Sequence, residues 1–430
     1  MILKQTDFLL QRPSIILFIP LKAGVVDCLE SIIMRQYLTF HEKILLLVYY
    51  CFRLAFQIFK VRGLTMPSST RPSVQKPEPS QSFDRLLNSL RGHTVEIHNL
   101  DKVYVGYPEG TGPDLERLRR ACDEKLETLA LNKARLNRLK RADFGLSASM
   151  WWPNAKFDNV VVAMFLIIWI FTWDDDLDEK GGSVYDNFEA AETRRKETLE
   201  YLRCCLGSKK PESYTKPTSP LILSFKPIGD SLRKGFTTDQ CQRLLKNLEA
   251  YIEGSRIEQD LRMKATIPTI DKFWNYRLQT SAVYATTSVL ELCSGTQLPQ
   301  HVFDDVDMKS IWKETNIMIS CSNDMFSLKK EIAHGQVDNI VALLCHNKHL
   351  KAQQAMDEAD AIVRSAKMRF DKSAKKLAVK YPDDTIEGRQ IKAFIEGCKY
   401  NMTGNQNFSL VSPRYGLANF KRGNSLVFTL

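Results

Sequence analysis

The chain has 430 residues, enough for one large domain or two of ordinary size, and a formal charge of +10 at pH 7 that suits an anionic partner. Its ten cysteines form no Cys-x-x-Cys pair and have no histidines at zinc spacing, so we expect reduced thiols in a cytoplasmic protein. No glycine-rich nucleotide loop and no basic-aromatic recognition segment occurs, which argues against a nucleic-acid partner.

The first 65 residues form an apolar extension that differs from the rest of the chain. Ile44 to Phe59 is an apolar run with Arg53 inside it, shorter than the roughly 20 residues that span a bilayer. Three interpretations stay open: a start that belongs at Met66, membrane contact through residues 44–62 in an interfacial helix, or docking on the main domain. Residues 66–82 are rich in proline and serine and are predicted to be a disordered linker.

Helical patterns dominate residues 83–430, and no convincing set of strands is visible. We therefore predict a single all-α domain over this range. The stretches with helical spacing are 114–140, 160–173, 186–206, 237–263, 270–294, 306–334, 338–344, 350–380 and 386–402.

The first chemical signal is a run of acidic residues that directly follows the apolar stretch Val160 to Trp173. Asp174 and Asp178 stand at i and i+4, so they share one helix face, with Asp175 beside them. An acidic run alone is most often a solvated face. A run that follows so apolar a stretch belongs to a core or a pocket wall instead.

The second signal lies about 150 residues further on. Asn323, Ser327 and Glu331 stand at i, i+4 and i+8 and form one polar stripe along a helix. With the carboxylates of the first run they offer hard oxygen ligands, which suit Mg²⁺ or Mn²⁺ and not zinc. Because Mg²⁺ usually shares its coordination with substrate phosphates, the two half-sites together predict metal ions around one diphosphate.

These motifs resemble those of class I terpene cyclases of the fungal and bacterial type. Asp-Asp-x-x-Asp-Glu starts at Asp174, and Asn-Asp-x-x-Ser-x-x-Lys-Glu starts at Asn323. The family's diphosphate-sensing arginine, 46 residues before that asparagine, matches Arg277. The family's C-terminal Arg-Tyr pair matches Arg414 and Tyr415. The resemblance covers about residues 83 to 420, and it includes Gly404 to Ser409, where Phe408 replaces the family's tryptophan.

The resemblance implies a helical bundle around a central apolar cavity. It also implies a Mg²⁺-dependent lyase that ionises a linear isoprenyl diphosphate, with farnesyl diphosphate and a sesquiterpene product expected. Three metal ions would be held by Asp174, Asp175, Asp178, Asn323, Ser327 and Glu331. The diphosphate would be bound by Arg277, Lys330, Arg414 and Tyr415. By position, Thr280 and Ser281 match the family's linker residue and helix break.

Once the diphosphate leaves, a carbocation must be shielded from water, and aromatic faces can stabilise it by about 0.5 to 2 kcal/mol each. The candidates for the cavity wall are Phe165, Trp169, Trp173, Tyr284, Asn316 and Phe408.

Three other readings compete with cyclisation of a fifteen-carbon substrate. A diterpene or other isoprenyl diphosphate synthase would use the same motifs. A chain-elongating synthase usually carries two Asp-Asp-x-x-Asp motifs, whereas the second motif here contains Asn323 and Ser327. A non-catalytic helical protein bound peripherally to a membrane would carry the acidic clusters as solvated faces.

Overall fold

Helices form nearly all of the regular structure in this computed structural model, which describes residues 79–129, 131–178, 181–207 and 216–430. The predictions about residues 1–65, the membrane contact through 44–62 and the start at Met66 lie outside these ranges. The helices are α1 Pro79–Leu90, α2 Leu100–Val103, α3 Leu115–Glu127, α4 Lys133–Ala142, α5 Phe144–Trp151, α6 Phe157–Asp178, α7 Phe188–Leu206, α8 Pro220–Leu223, α9 Lys226–Gly235, α10 Thr238–Met263, α11 Ile270–Thr280, α12 Val283–Ser288, α13 Leu290–Ser294, α14 Gln300–Asp304, α15 Val306–Ala333, α16 Ile340–Lys348, α17 Ala352–Lys380 and α18 Ile386–Val411.

The predicted all-α class is confirmed, and several boundaries need correction. Helix α1 begins at Pro79, so the last residues of the predicted linker 66–82 are helical. The predicted helix 114–140 is two helices, because Asn132 caps α4 by accepting from the Arg135 N–H at 2.9 Å. Helix α18 continues to Val411, beyond the predicted end at residue 402.

Helix α6 runs through the middle of the bundle because it is apolar on every side. Residues 160, 163, 164 and 166–170 are all buried along it. Its last turn carries the acidic run, and α10 packs beside that turn through the ring of Tyr251. Helix α10 is fixed at its start by a capping box between Thr237 and Gln240. No helix in the described part of the chain is long and apolar enough to cross a membrane.

The predicted helix 270–294 breaks into α11, α12 and α13. The first break lies at Ala282, whose φ of 57° is unusual for a residue with a side chain. Local spacing could not reveal this break, because the stretch Thr280 to Val283 has no glycine or proline to interrupt a helix.

A small antiparallel sheet is the feature that the sequence analysis missed. It contains β1 Thr94–Ile97, β2 Lys421–Arg422 and β3 Ser425–Thr429, in the order β1-β3-β2. The strands are short, and β1 and β3 lie more than 300 residues apart in the chain, so no local pattern announces the pairing. Only the alternating burial along β1 and β3 reflects it.

Helices α5 and α18 approach each other closely at Gly404. A Cβ atom there would lie 2.7 Å from the carbonyl oxygen of Met150, which is too close for any side chain. This contact gives a physical reason for the glycine in the Gly404 to Ser409 segment. The same crossing is fixed by Asn401, whose side-chain amide donates to the carbonyl of Trp151 at 2.8 Å.

Candidate active site

Two carboxylates at the end of α6 are held from α10. Oδ1 of Asp174 accepts a hydrogen bond from the Tyr251 hydroxyl at 2.9 Å, and Oδ1 of Asp178 accepts from Nη1 of Arg262 at 3.0 Å. Burial and the negative charges of Asp178 and Asp175 raise the pKa of Asp174 to about 8. This crowding of carboxylates is what a divalent cation would relieve.

The other two aspartates of the run point to different partners. Asp176 is buried between Arg135 and Arg194, at 2.5 and 3.0 Å, so it is part of a structural ion-pair network. Asp175 pairs with Arg138 at 3.2 Å. Asp178 likewise pairs with Arg262, whereas Asp174 is held by the neutral hydroxyl of Tyr251, so Asp174 is the strongest ligand candidate of the run.

The second motif lies on α15, with its three side chains on one face as predicted. Nδ2 of Asn323 donates to the Tyr415 hydroxyl at 2.8 Å. Oε2 of Glu331 accepts from Nδ2 of the fully buried Asn339 at 2.8 Å. Ser327 lies between them, one turn from each. Burial raises the pKa of Glu331 above its ordinary value.

Asp324, the residue after Asn323, is bound inside the protein and does not face the stripe. Its Oδ1 accepts from Nη2 of Arg277, and its Oδ2 accepts from the backbone N–H of Ile340 at 3.0 Å. Burial opposes the charge on Arg277, but the carboxylates of Asp324 and Glu258 outweigh it, so its pKa is raised. Within the described chain, the buried Nε of Arg277 has no hydrogen-bond partner.

The chain just beyond the second motif contacts the end of the first, and the convergence of the two sets of ligand side chains stays a prediction. Nε2 of Gln336, just beyond α15, donates to the backbone carbonyl of Asp178 at 3.4 Å. The adjacent residues Arg414 and Tyr415 join the same helices. The guanidinium of Arg414 lies 4.5 Å from the ring centroid of Phe171 on α6, while Tyr415 contacts Asn323 on α15. The charge of Arg414 also favours the ionised form of Asp174 near the end of α6.

Two further carboxylates surround Arg277, and the sequence analysis did not find them. Glu258 on α10 accepts a hydrogen bond from the Thr280 hydroxyl. Asp338, in the loop before α16, accepts from the Tyr276 hydroxyl. Burial, helped by the charges of neighbouring carboxylates, raises the pKa of both, that of Asp338 to about 7. The sequence did contain a signal for Glu258. It follows Tyr251 at i+7, so the two side chains share one face of α10.

The helix break after Arg277 is held by Asn316 of α15. Its Nδ2 donates to the carbonyl of Leu278 at 2.6 Å, and its Oδ1 accepts from the Ser281 hydroxyl at 2.8 Å. Asn316 was predicted as a cavity-wall residue. Both ends of its amide are engaged in fixing the bend at Ala282, and its place in a cavity wall stays a prediction.

Three aromatic cavity-wall predictions on α6 are wrong. Phe165, Trp169 and Trp173 share a face, but that face is turned from Asp174 by about 100° to 180° around the helix. The indoles of Trp169 and Trp173 have no exposed surface, and their N–H groups donate to α8 and α7. A lysine ammonium of α3 lies 5.4 Å from the Phe165 ring centroid. These rings stabilise the packing of the outer helices.

The remaining wall candidates lie elsewhere. The ring of Tyr284 on α12 packs edge-on against Trp312 on α15, with centroids 5.9 Å apart. Trp312 was missed, although it lies three turns before Asn323 on the same face. Phe408 packs edge-on against Tyr415 at 6.3 Å, so it supports that residue. Lys330 lies half-buried beside the motif on the last turn of α15. The central apolar cavity stays a prediction.

Comparison with known proteins identifies the family. Residues 166–369 match the family model described as terpene synthase family 2, C-terminal metal binding. The chain is 32% identical over 359 residues to the sesquiterpene cyclase hepA of Aspergillus oryzae, and the match covers 81% of this chain and 95% of that protein. The chain belongs to the terpene synthase family. It is a class I terpene synthase, as the two motifs indicated.

Other terpene synthases support this assignment. Germacrene A synthase of Nostoc punctiforme is 25% identical over 292 residues, which cover 67% of this chain and 85% of that protein. The solved structure of a hedycaryol synthase superposes with a TM-score of 0.60 at 20% identity, covering 72% of this chain and 96% of that one. An α-eudesmol synthase gives a TM-score of 0.62 at 19% identity, with coverage of 71% and 98%. The structural matches establish the shared fold.

The residues of this terpene synthase fit a divalent metal that is shared with substrate. No three His, Cys, Asp or Glu side chains in the described ranges form a ready-made metal cage. What the site offers instead is a carboxylate pair at the end of α6 and an amide, a hydroxyl and a carboxylate along α15. Hard oxygen donors of this kind, too few for a closed cage, suit an ion that completes its coordination with phosphate oxygens.

Proposed function

We propose that this terpene synthase ionises farnesyl diphosphate in the presence of Mg²⁺ and cyclises the resulting carbocation to a sesquiterpene. The proposal is supported by three contacts beside the two motifs: Gln336 donates to the Asp178 carbonyl, Arg414 lies over Phe171 on α6, and Tyr415 contacts Asn323 on α15. The choice of a fifteen-carbon substrate is supported by the relative named as a sesquiterpene cyclase. The match covers 95% of that protein and 81% of this chain.

Metal binding would be divided between the two helices. Asp174 and Asp178, with Asp175 at the edge, would hold two ions, and the stripe of α15 would hold a third. Mg²⁺, with Mn²⁺ as a substitute, would neutralise the charge that develops on the departing diphosphate. Tyr251 and Arg262 fix the orientation of the first pair, and Asn339 fixes Glu331.

Diphosphate binding would fall to Arg277, Lys330, Arg414 and Tyr415. Asp324 uses one nitrogen of Arg277, which leaves its buried and unpartnered Nε able to donate to a phosphate oxygen. A planar guanidinium fixed in this way is preorganised for the charge of the leaving group. Arg414 and Tyr415 would close the site from the side of the C-terminal segment.

The hydrocarbon chain would lie deeper in the bundle, between α11, α12 and α15. The break after Thr280 and Ser281 frees backbone carbonyls from helical pairing, and such dipoles stabilise positive charge. Trp312 on α15 and Tyr284 on α12 offer aromatic faces that would stabilise positive charge on the hydrocarbon chain. A bundle that excludes water from this region would keep the cation from premature capture.

The test is to incubate the purified protein with Mg²⁺ and linear diphosphates of ten, fifteen and twenty carbons, then measure diphosphate release and identify the volatile products. We expect cyclic sesquiterpenes from the fifteen-carbon substrate and loss of release in Asp174→Ala. A diterpene product from the twenty-carbon substrate alone would correct the substrate. Metal-independent release, or no release from any of the three, would refute the proposal.

A further inference from the structure

The segment that carries Arg414 and Tyr415 has little regular structure of its own. It lies between the end of α18 at Val411 and a short 3₁₀ helix, Ala418–Phe420. Its internal hydrogen bonds are two contacts to Ser412, one from each of the backbone N–H groups of Arg414 and Tyr415, both at 3.2 Å. Side-chain contacts add to these, since the Ser412 hydroxyl donates to the Ala142 carbonyl at 3.1 Å and Tyr415 is buried against Phe408, and the chain on either side supplies the rest of the support.

On the C-terminal side, the chain is held by the central strand of the sheet. Strand β1 pairs along its whole length with residues 426–429 of β3. The backbone bonds continue past the strands, since Gly92 N–H donates to the Leu430 carbonyl at 2.9 Å and Leu430 N–H donates to the His93 carbonyl at 3.0 Å. One face of the pair is buried. The buried side chains are Val95, Ile97, Leu426 and Phe428.

Strand β1 is in turn fixed to the helical bundle by its buried face and by hydrogen bonds from one side chain. Gln353, on the first turn of α17, accepts from the Glu96 N–H through Oε1 at 2.7 Å and donates to the Glu96 carbonyl through Nε2 at 2.9 Å. The amide takes the place of a neighbouring strand and closes the outer edge of β1. The sheet is thus anchored and not free to move with the C-terminal segment.

A second contact joins β3 to α15, the helix that carries the Asn323 to Glu331 stripe. Nζ of Lys329 on α15 donates to the carbonyl of Thr429, and the same ammonium lies 5.3 Å from the ring centroid of Phe420. Lys329 lies two residues before Glu331, so the C-terminal strand is tied to the end of α15 that carries the proposed metal ligand.

We propose that β3 is a clasp, a strand whose pairing holds Arg414 and Tyr415 in position for diphosphate binding. Strand β1 and Gln353 contribute to the same positioning, because they hold β3 in place. The inference rests on the proposed function for its chemical consequence, but the structural part stands on the contacts alone. The pairing fixes the chain after Tyr415, and α18 fixes it before Arg414. A short segment held at both ends reaches Phe171 and Asn323 in one geometry, which removes the cost of ordering it when substrate arrives.

The experiment compares the full chain with a form that ends at Asn424, which lacks β3. We expect the truncated protein to keep its cooperative thermal unfolding, to raise KM for farnesyl diphosphate and the Kd for inorganic diphosphate with Mg²⁺ by about tenfold, and to release more linear alcohol relative to cyclic product. Phe428→Ala should shift the same quantities in the same direction. Val427→Ala, on the opposite face of the same strand, is the matched control and should shift none of them.

Two measurements separate the clasp from simple loss of stability. In a double-mutant cycle, Arg414→Ala should have a much smaller effect in the truncated protein than in the full chain. The two changes remove the same interaction, which is the contact of a correctly positioned Arg414 with the diphosphate. Fully additive effects would overturn the proposal. If the truncated protein fails to fold, the same cycle is run with Phe428→Ala, and additivity there has the same meaning.

The second measurement needs no turnover, so it distinguishes failure of the clasp from failure of the proposed function. Because the guanidinium of Arg414 lies over Phe171 and Tyr415 is buried, we expect trypsin to cleave after Arg414 only when this segment opens. We expect cleavage there to be about tenfold faster in the truncated form and in Phe428→Ala than in the full chain and Val427→Ala. Equal cleavage rates would overturn the clasp even in an active enzyme. Faster cleavage in a protein that releases no diphosphate would keep the clasp and refute the enzymatic proposal.

Discussion

The carboxylate of Asp324 holds the guanidinium of Arg277 from one side and the N-terminus of α16 from the other. The arginine that the motifs predict as the diphosphate sensor is therefore already fixed to the helix that carries the second metal motif. The orientations of Arg277 and of the α15 stripe are set together, so under the proposed function one buried residue, Asp324, would couple diphosphate binding to metal binding.

Arg277→Lys should lower kcat/KM by about 100-fold, because an ammonium cannot serve Asp324 and a phosphate oxygen at the same time through a planar fork. Steady-state kinetics with farnesyl diphosphate check this. The control is Arg243→Lys, since Arg243 forms another buried pair, with Glu291 at 2.7 Å, away from the site. It should cost stability while leaving KM unchanged. Similar kinetic losses in the two variants would contradict the assigned role of Arg277.

Asp174→Asn should reduce the Mg²⁺-dependent release of diphosphate by about 100- to 1,000-fold, by analogy with the loss of a single group that stabilises developing charge. Asp176→Asn tests the specificity of this effect, because Asp176 belongs to the same run but is bound between two arginines. Breaking that buried network should lower the melting temperature, at a cost of about 3 to 5 kcal/mol. The Mg²⁺ concentration for half-maximal activity should stay unchanged. The reverse pattern would mean that the two carboxylates have been assigned the wrong roles.

Asn339→Asp should raise the Mg²⁺ concentration needed for half-maximal activity by about tenfold. An aspartate keeps the acceptor that caps α16 through the Val341 N–H, but it loses the amide that donates to Glu331 and places a negative charge beside it. Titration of activity with Mg²⁺ measures the shift. If the melting temperature and the Mg²⁺ concentration for half-maximal activity both stay unchanged, Glu331 needs no support from Asn339.

Glu258→Gln should make the stability of the metal-free protein less dependent on pH. Burial and the charges of Asp338 and Asp178 raise the pKa of Glu258 well above its ordinary value of 4.5. The folded state therefore binds a proton that the unfolded state releases, and stability falls as pH rises above that ordinary value. The variant lacks this loss, so its melting temperature in EDTA should exceed that of the wild type more at pH 8 than at pH 5. An equal difference at both pH values would contradict the assignment.

Trp312→Phe should change the ratio of products, whereas Trp169→Phe should leave it unchanged. Trp312 shares the α15 face of the metal motif, and a phenyl ring offers a smaller and weaker cation–π surface, by about 0.5 to 2 kcal/mol at most. Trp169 has no exposed surface and faces the outer helices, so its replacement should only lower stability. Gas chromatography of the volatile products measures this ratio for both variants. A changed product ratio from Trp169→Phe alone would restore the original assignment for α6.

The motifs could be predicted from the sequence because each lies within one helix. The spacing of Asp174 to Asp178 and of Asn323 to Glu331 fixes which side chains share a face, whatever the rest of the chain does. The same arithmetic, applied from Asp174, would have turned Trp169 away from the site. What local spacing could not supply were partners from other elements. Tyr251 and Asn339 become visible only when the helices are assembled.

The bend at Ala282 shows how far tertiary contacts override local preference. The stretch 270–294 reads as one straight helix, yet the chain adopts a left-handed conformation in its middle, which costs about 1 to 2 kcal/mol for an alanine. Hydrogen bonds that the amide of Asn316, on a third helix, forms with Leu278 and Ser281 help to stabilise this conformation. Because Arg277 lies on α11 and Tyr284 on α12, a residue of α15 helps to set the angle between the helix of the proposed diphosphate ligand and the helix of an aromatic candidate.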